Sequence, residues 1–188
     1  MRNVKLLKFV MIAMLCAVAF VVAAAPFLRW KPLPGAQFLT YEPKDVIILV
    51  GGVIFGPIAA IVMSVVVAFI EFITVSTEGI VGLVMNIISS VTFVLPVVFI
   101  YRKFKNIFGG IFGCILGTIL MTAAMVLFNI IFTPIFMGVP RETVMGMLVP
   151  AIIPFNLIKS GVNSAVFLII STPIFIALKK TNKLEHFI

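Results

Sequence analysis

Few side chains in this sequence can do chemistry, and most of them stand among apolar neighbours. In "IIPFNLIKSGVNSAVFLII", residues 152–170, Asn156, Lys159, Ser160 and Asn163 fall at i, i+3, i+4 and i+7, which is one face of a helix. Upstream, Asn86, Ser89 and Ser90 form a second polar set, and Thr122, Asn129 and Thr133 a third at i, i+7 and i+11. Carboxamides and hydroxyls beside an amine offer both donors and acceptors next to a positive charge. That set suits a flat, polar heteroaromatic ligand with several carbonyls and ring nitrogens. Catalysis has little to build on. His186 is the single histidine and sits in the tail. No Ser–His pairing, metal-spaced cluster or carboxylate dyad can be assembled within the apolar stretches. A G-x-x-x-x-G-K-[ST] phosphate loop is missing as well, so ATP hydrolysis by that route belongs to another chain.

The elements that must position these groups are membrane spans. Hydrophobic residues make up 63% of 188 positions and charged residues 11%, outside the range of soluble domains. Several apolar stretches approach the roughly 20 residues that cross a bilayer core. An all-α integral membrane protein follows, multi-pass in the cell membrane, with one six-helix domain over residues 1–188. The net charge of +8 then needs no nucleic-acid partner, because Lys and Arg beside the spans set orientation. Cys16 and Cys114 lack metal-site spacing and read as small lipid- or core-facing residues.

The first span covers about Lys5 to Ala25. Its flanks also fit a signal peptide cleaved near Ala23 to Ala25, but the run is long and the topology works better with it retained. A mixed segment follows, "PFLRWKPLPGAQFLTYEPKD", whose length marks a functional loop and whose aromatics argue against disorder. The second and third spans, Asp45 to Phe55 and Pro57 to Val75, are divided by "FGP", where Gly56 breaks one helix and Pro57 starts the next. The second is about 17 Å long and crosses a membrane poorly on its own. The fourth runs from Gly79 to Tyr101, the fifth from Phe108 to Phe132, and the sixth from near Pro154 to near Leu178, after a polar link "GVPRETV".

Six spans put both termini on one side, with Arg2, Lys5, Lys8, Arg102, Lys103, Lys105, Lys179, Lys180 and Lys183. The other side receives only Arg29, Lys31, Lys44 and Arg141, so both termini are expected to be cytoplasmic. The long first loop, including Gly35, is then external. Lys159 lies roughly 8 Å below the outer start of its helix, where an amine is a functional candidate by default. The alternative is that it snorkels to the interface while Asn129 and Asn156 tie helices together. Asn86, Asn129 and Asn156 at a similar depth favour a pocket. Glu71 sits near the outer end of its span; it is either a surface residue or a contact for Lys159 or a ligand hydroxyl.

The order of short second helix, "FGP" turn, third helix and terminal "IIPFNLIKSG" resembles the substrate-binding S components of energy-coupling factor vitamin transporters. The "IIPFN-x-x-K" segment, "LFNIIFTP" and "FLTYEPKDV" are similar to the riboflavin-specific branch. The resemblance covers essentially the whole chain. It implies high-affinity riboflavin binding and uptake, in an outward-side pocket built by the first loop and the last three spans. The matching positions are Asn129, Asn156 and Lys159, with Phe38, Leu39 and Thr40 in the loop; Asn86 is added from its depth. The third span, apolar except for Glu71, departs from the family pattern. The resemblance also implies partners: a transmembrane coupling subunit, docked through a small-x-x-x-small motif that Ala13 and Ala17 match, and two ATPases that use the ATP. Riboflavin is then cargo, and no resident cofactor is implied. Internal packing of Ala13 and Ala17 against the last span is the competing reading. Other readings are an S component for thiamine or a flavin precursor, a membrane-embedded enzyme, or a structural subunit.

Overall fold

The computed structural model describes residues 2–33, 36 and 38–180. Gly35, Lys183 and His186 lie outside the described residues, as do the side chains of Arg2, Lys179 and Lys180. Among the described residues, seven α-helices and one π-turn follow in chain order: α1 Arg2–Ala24, α2 Lys44–Phe55, α3 Pro57–Thr74, α4 Gly79–Phe104, α5 Ile107–Met137, α6 Arg141–Met147, the π-turn Leu148–Ile152, and α7 Ile153–Lys180. Five helical stretches among the described residues are long and apolar enough to cross a membrane. The sixth span, α2, has 12 residues, and at 1.5 Å each it reaches only about 18 Å.

The "FGP" junction folds as its residues dictate. Gly56 takes φ 103°, a conformation that a side chain disfavours, and Pro57 occupies the first turn of α3. On α5, Gly113 and Gly117 bring the backbone directly onto α4. A Cβ at Gly117 would lie 2.6 Å from the Phe93 carbonyl oxygen, and one at Gly113 3.0 Å from Val97 Cα. Small residues at this spacing let helices approach where no hydrophobic force drives them together in lipid. Phe93, Val94, Val97 and Val98 are accordingly fully buried between helices.

The short α2 has a specific depth. Its last turn lies beside the far end of α4, where Arg102 Nη1 donates to the Val53 carbonyl at 2.8 Å. Its first turn meets Ser90, eleven residues or about 17 Å along α4 from Gly79. α2 therefore occupies one half of the membrane, and the loop before it must descend to mid-depth to reach it. A bridge between Trp30 and Tyr41 ties the two sides of that loop together, and their rings also meet edge to face at 5.8 Å. Ala36, Leu39 and Tyr41 pack with Val144, Ala151, Ile152 and Phe155 in a separate apolar cluster.

The link "GVPRETV" is not a bare connection. Most of it belongs to α6, and it leads into a π-turn containing Pro150. Pro150 and Pro154 together remove two N–H donors from the ladder, and the wider turn accommodates the loss. α5 continues past Phe132 and Pro134 to Met137, where Gly138 in the left-handed region (φ 66°) ends it.

α1 packs chiefly on α2 and α3. Cys16, Ala19 and Ala23 form its buried side, whereas Ala13 and Ala17 are exposed. The expected alternative of internal packing against the last span is thereby corrected. Cys16 and Cys114 are both buried free thiols, and the described residues contain no metal-binding group of His, Cys, Asp and Glu.

Candidate ligand-binding site

A cavity of about 440 Å³ opens beneath the loop, among α3, α4, α5 and α7. Phe38, Leu39 and Thr40 of the loop line it, together with Asn86, Asn129, Asn156 and Lys159 from three helices. All seven candidate side chains therefore share one cavity, at the end of the bundle opposite Lys103 and Lys105. Thr122, two turns deeper on α5, does not line it.

α3 also contributes a wall, through Ala68, Glu71, Phe72 and Val75. The span whose apolar character departs from the family pattern thus still borders the cavity. Glu71 is 3% exposed, so the surface reading is corrected. Its partner is Lys44, not Lys159.

Two polar networks hold the cavity in shape. In the upper one, Glu42 accepts from Arg29 Nη2 at 2.7 Å and from Lys44 Nζ at 3.1 Å. Lys44 pairs in turn with Glu71, whose Oε2 also accepts from Asn86 Nδ2 at 2.7 Å. The loop is thus tied to α3 and α4 through a buried amine. Removing one partner would leave an uncompensated charge, which costs several kcal/mol in such surroundings (about 3–5). Burial alone would raise the Glu42 carboxyl, but Lys44, Lys159 and Arg29 outweigh it and hold it below its ordinary range. Glu78, at the cavity rim, is raised, by burial first and then by the charge of Glu42.

The lower network centres on Asp45, which is fully buried. Its Oδ1 accepts from Ser90 Oγ at 2.6 Å and its Oδ2 from Asn163 Nδ2 at 3.3 Å. Asn163 Oδ1 accepts from Tyr41 Oη at 2.9 Å. Burial, then the charge of Asp45, push the Tyr41 phenol up to about 12, so it stays a donor at physiological pH. Lys159 Nζ lies 3.9 Å from Asp45 Oδ2 and donates to Ser89 Oγ at 3.4 Å. At 6% exposure Lys159 does not snorkel.

The amides differ in what they leave free. Asn129 donates to the Met125 carbonyl and accepts from Thr133 Oγ1, both at 2.7 Å within α5. A carboxamide has four hydrogen-bonding positions, so capacity remains. Asn156 donates to the Ile152 carbonyl at 2.7 Å, at the end of the π-turn, while its Oδ1 has no partner among the described residues.

Sequence reasoning missed Tyr41, Glu42, Lys44 and Asp45 as parts of the site, and counted Lys44 as an external loop charge. A usable signal was present. A 12-residue helix cannot reach both membrane surfaces, so charges at its start must lie inside and find partners there.

These features define a helical membrane protein with a polar-lined cavity of small-ligand size between its helices and the loop after α1. The chain belongs to the substrate-specific components of ECF transporters: the model for "ECF transporter, substrate-specific component" matches residues 7–171. Members are integral membrane transport subunits that work with an ECF module of transmembrane and ATPase subunits. The chain is 31% identical, over 93% of its own length and 93% of the relative's, to the riboflavin transporter FmnP of Bacillus subtilis (strain 168). It is also similar to a solved S component of a bacterial ECF transporter, with TM-score 0.78 and 30% identity. That likeness covers 93% of this chain and 99% of the other.

Proposed function

We propose that this chain binds riboflavin in the cavity and delivers it for ATP-driven uptake. One transmembrane coupling subunit and two ATPases are the partners in this reading. The observation that carries it is the convergence of Asn86, Asn129, Asn156 and Lys159 on one cavity. The cavity volume lies within the range of small-ligand sites, about 300–1,000 Å³. Riboflavin presents two ring carbonyls, ring nitrogens and one ring N–H, which an ammonium and several amides complement. The likeness to a riboflavin transporter supports the same ligand.

The cavity end faces outward in this reading. Lys5, Lys8, Arg102, Lys103 and Lys105 gather at the opposite end, which the positive-inside rule assigns to the cytoplasm. A cysteine replacing the exposed Lys31 is expected to react with an impermeant reagent added to intact cells; labelling only after lysis would reverse the orientation. Binding itself is tested by titrating detergent-purified protein with riboflavin and following flavin fluorescence. Quenching to a saturable end point is expected. Protein that neither carries nor binds flavin would remove the reading.

A further inference from the structure

Glu71 Oε2 is fully engaged, by Lys44 and by Asn86 Nδ2 at 2.7 Å. Its other oxygen, Oε1, is buried and has no hydrogen-bond partner among the described residues. Leaving a buried carboxylate oxygen unserved is costly, and the residue lines the cavity. A ligand group is therefore the natural partner, and a carboxylate accepts only from a donor.

The placement of the other polar groups on the cavity wall limits which donor this is. Lys159 and Asn156 stand on α7 and Asn129 on α5, whereas Glu71 and Asn86 stand on α3 and α4. A flavin ring has one N–H donor and otherwise acceptors, so its polar edge matches the amine and amides. The hydroxyls of its sugar-alcohol tail are the donors left over. We infer that Glu71 Oε1 accepts a hydrogen bond from a tail hydroxyl, making α3 a specificity-determining wall that selects flavins carrying a polyhydroxyl chain. Asn86 and Lys44 are the positioning residues, because they fix Oε2 and so fix the direction of Oε1. This inference rests on riboflavin being the ligand.

The experiment separates the two ideas by using two ligands. Lumiflavin has the same tricyclic ring with a methyl group in place of the tail. Purified parent protein, Glu71→Gln and Glu71→Asp are each titrated with riboflavin and with lumiflavin, with thermal unfolding recorded alongside. For Glu71→Gln, riboflavin affinity is expected to fall about tenfold or more while lumiflavin affinity holds within about twofold. Glu71→Asp keeps the charge facing Lys44 but shortens the reach to the ligand, so it is expected to fold and to show the same selective loss. It carries the test alone if Glu71→Gln fails to fold. Equal losses for both ligands in a folded variant, or no loss for either, would overturn the role of Glu71. A parent protein that binds neither flavin would instead overturn the riboflavin reading beneath it.

Discussion

Lys159 Nζ on α7 lies 3.9 Å from Asp45 Oδ2 on α2, so the amine facing the cavity is anchored by the helix that never reaches the outer surface. Asp45 is held from α4 by Ser90 and from α7 by Asn163. The cavity amine and the docking of α2 therefore share one buried carboxylate.

Asp45→Asn should then lower stability by about 3–5 kcal/mol, because it strands a buried ammonium. Adding Lys159→Met should restore part of that loss, since the double variant has no unpaired charge. Unfolding midpoints of the parent, both single variants and the double variant in one detergent measure the coupling. Strictly additive losses would mean that the two groups do not interact.

Most of the fold was legible in the sequence. Periodicity and length revealed the long spans, and "FGP" marked the α2–α3 junction because glycine and proline have local, context-free preferences. The polar face of Asn156, Lys159 and Asn163 was readable for the same reason. The partners of those residues were not. Asp45 meets Asn163 across 118 positions and Lys44 meets Glu71 across 27, and no local pattern encodes such pairings. The π-turn was hidden too, since Pro150 and Pro154 signal only that the ladder is interrupted, not how the chain absorbs it.

The exposed pair on α1 bears on coupling. Ala13 and Ala17 lie one turn apart on a face that no other helix covers among the described residues. Replacing both with Leu should leave riboflavin binding unchanged and abolish ATP-dependent uptake in cells that supply the ECF module. Radiolabelled uptake measured beside binding to the purified variant separates the steps. Loss of both together would mean that the substitutions disturb the fold itself, and loss of neither would remove the docking role.

Loop attachment should depend on acid. The folded state holds the Glu42 carboxyl below its ordinary value. Its charge therefore contributes stability that is fully present above the ordinary carboxylate range and is lost as pH falls through the lower folded value. Unfolding temperature measured from pH 7 downward should drop in that window, and Glu42→Gln should flatten the drop while lowering stability at pH 7. An unchanged acid profile in the variant would show that other carboxyls govern it.

The most direct test of the account is the affinity of Lys159→Met for riboflavin. A buried ammonium that meets a flavin carbonyl or ring nitrogen makes a charge-assisted hydrogen bond of about 1.5–3 kcal/mol, roughly 10- to 150-fold in Kd. Fluorescence titration of the folded variant beside the parent should show a loss of at least about tenfold, and Asn156→Leu a smaller one because a neutral amide is removed. A folded Lys159→Met protein that binds riboflavin as tightly as the parent would contradict the site described here.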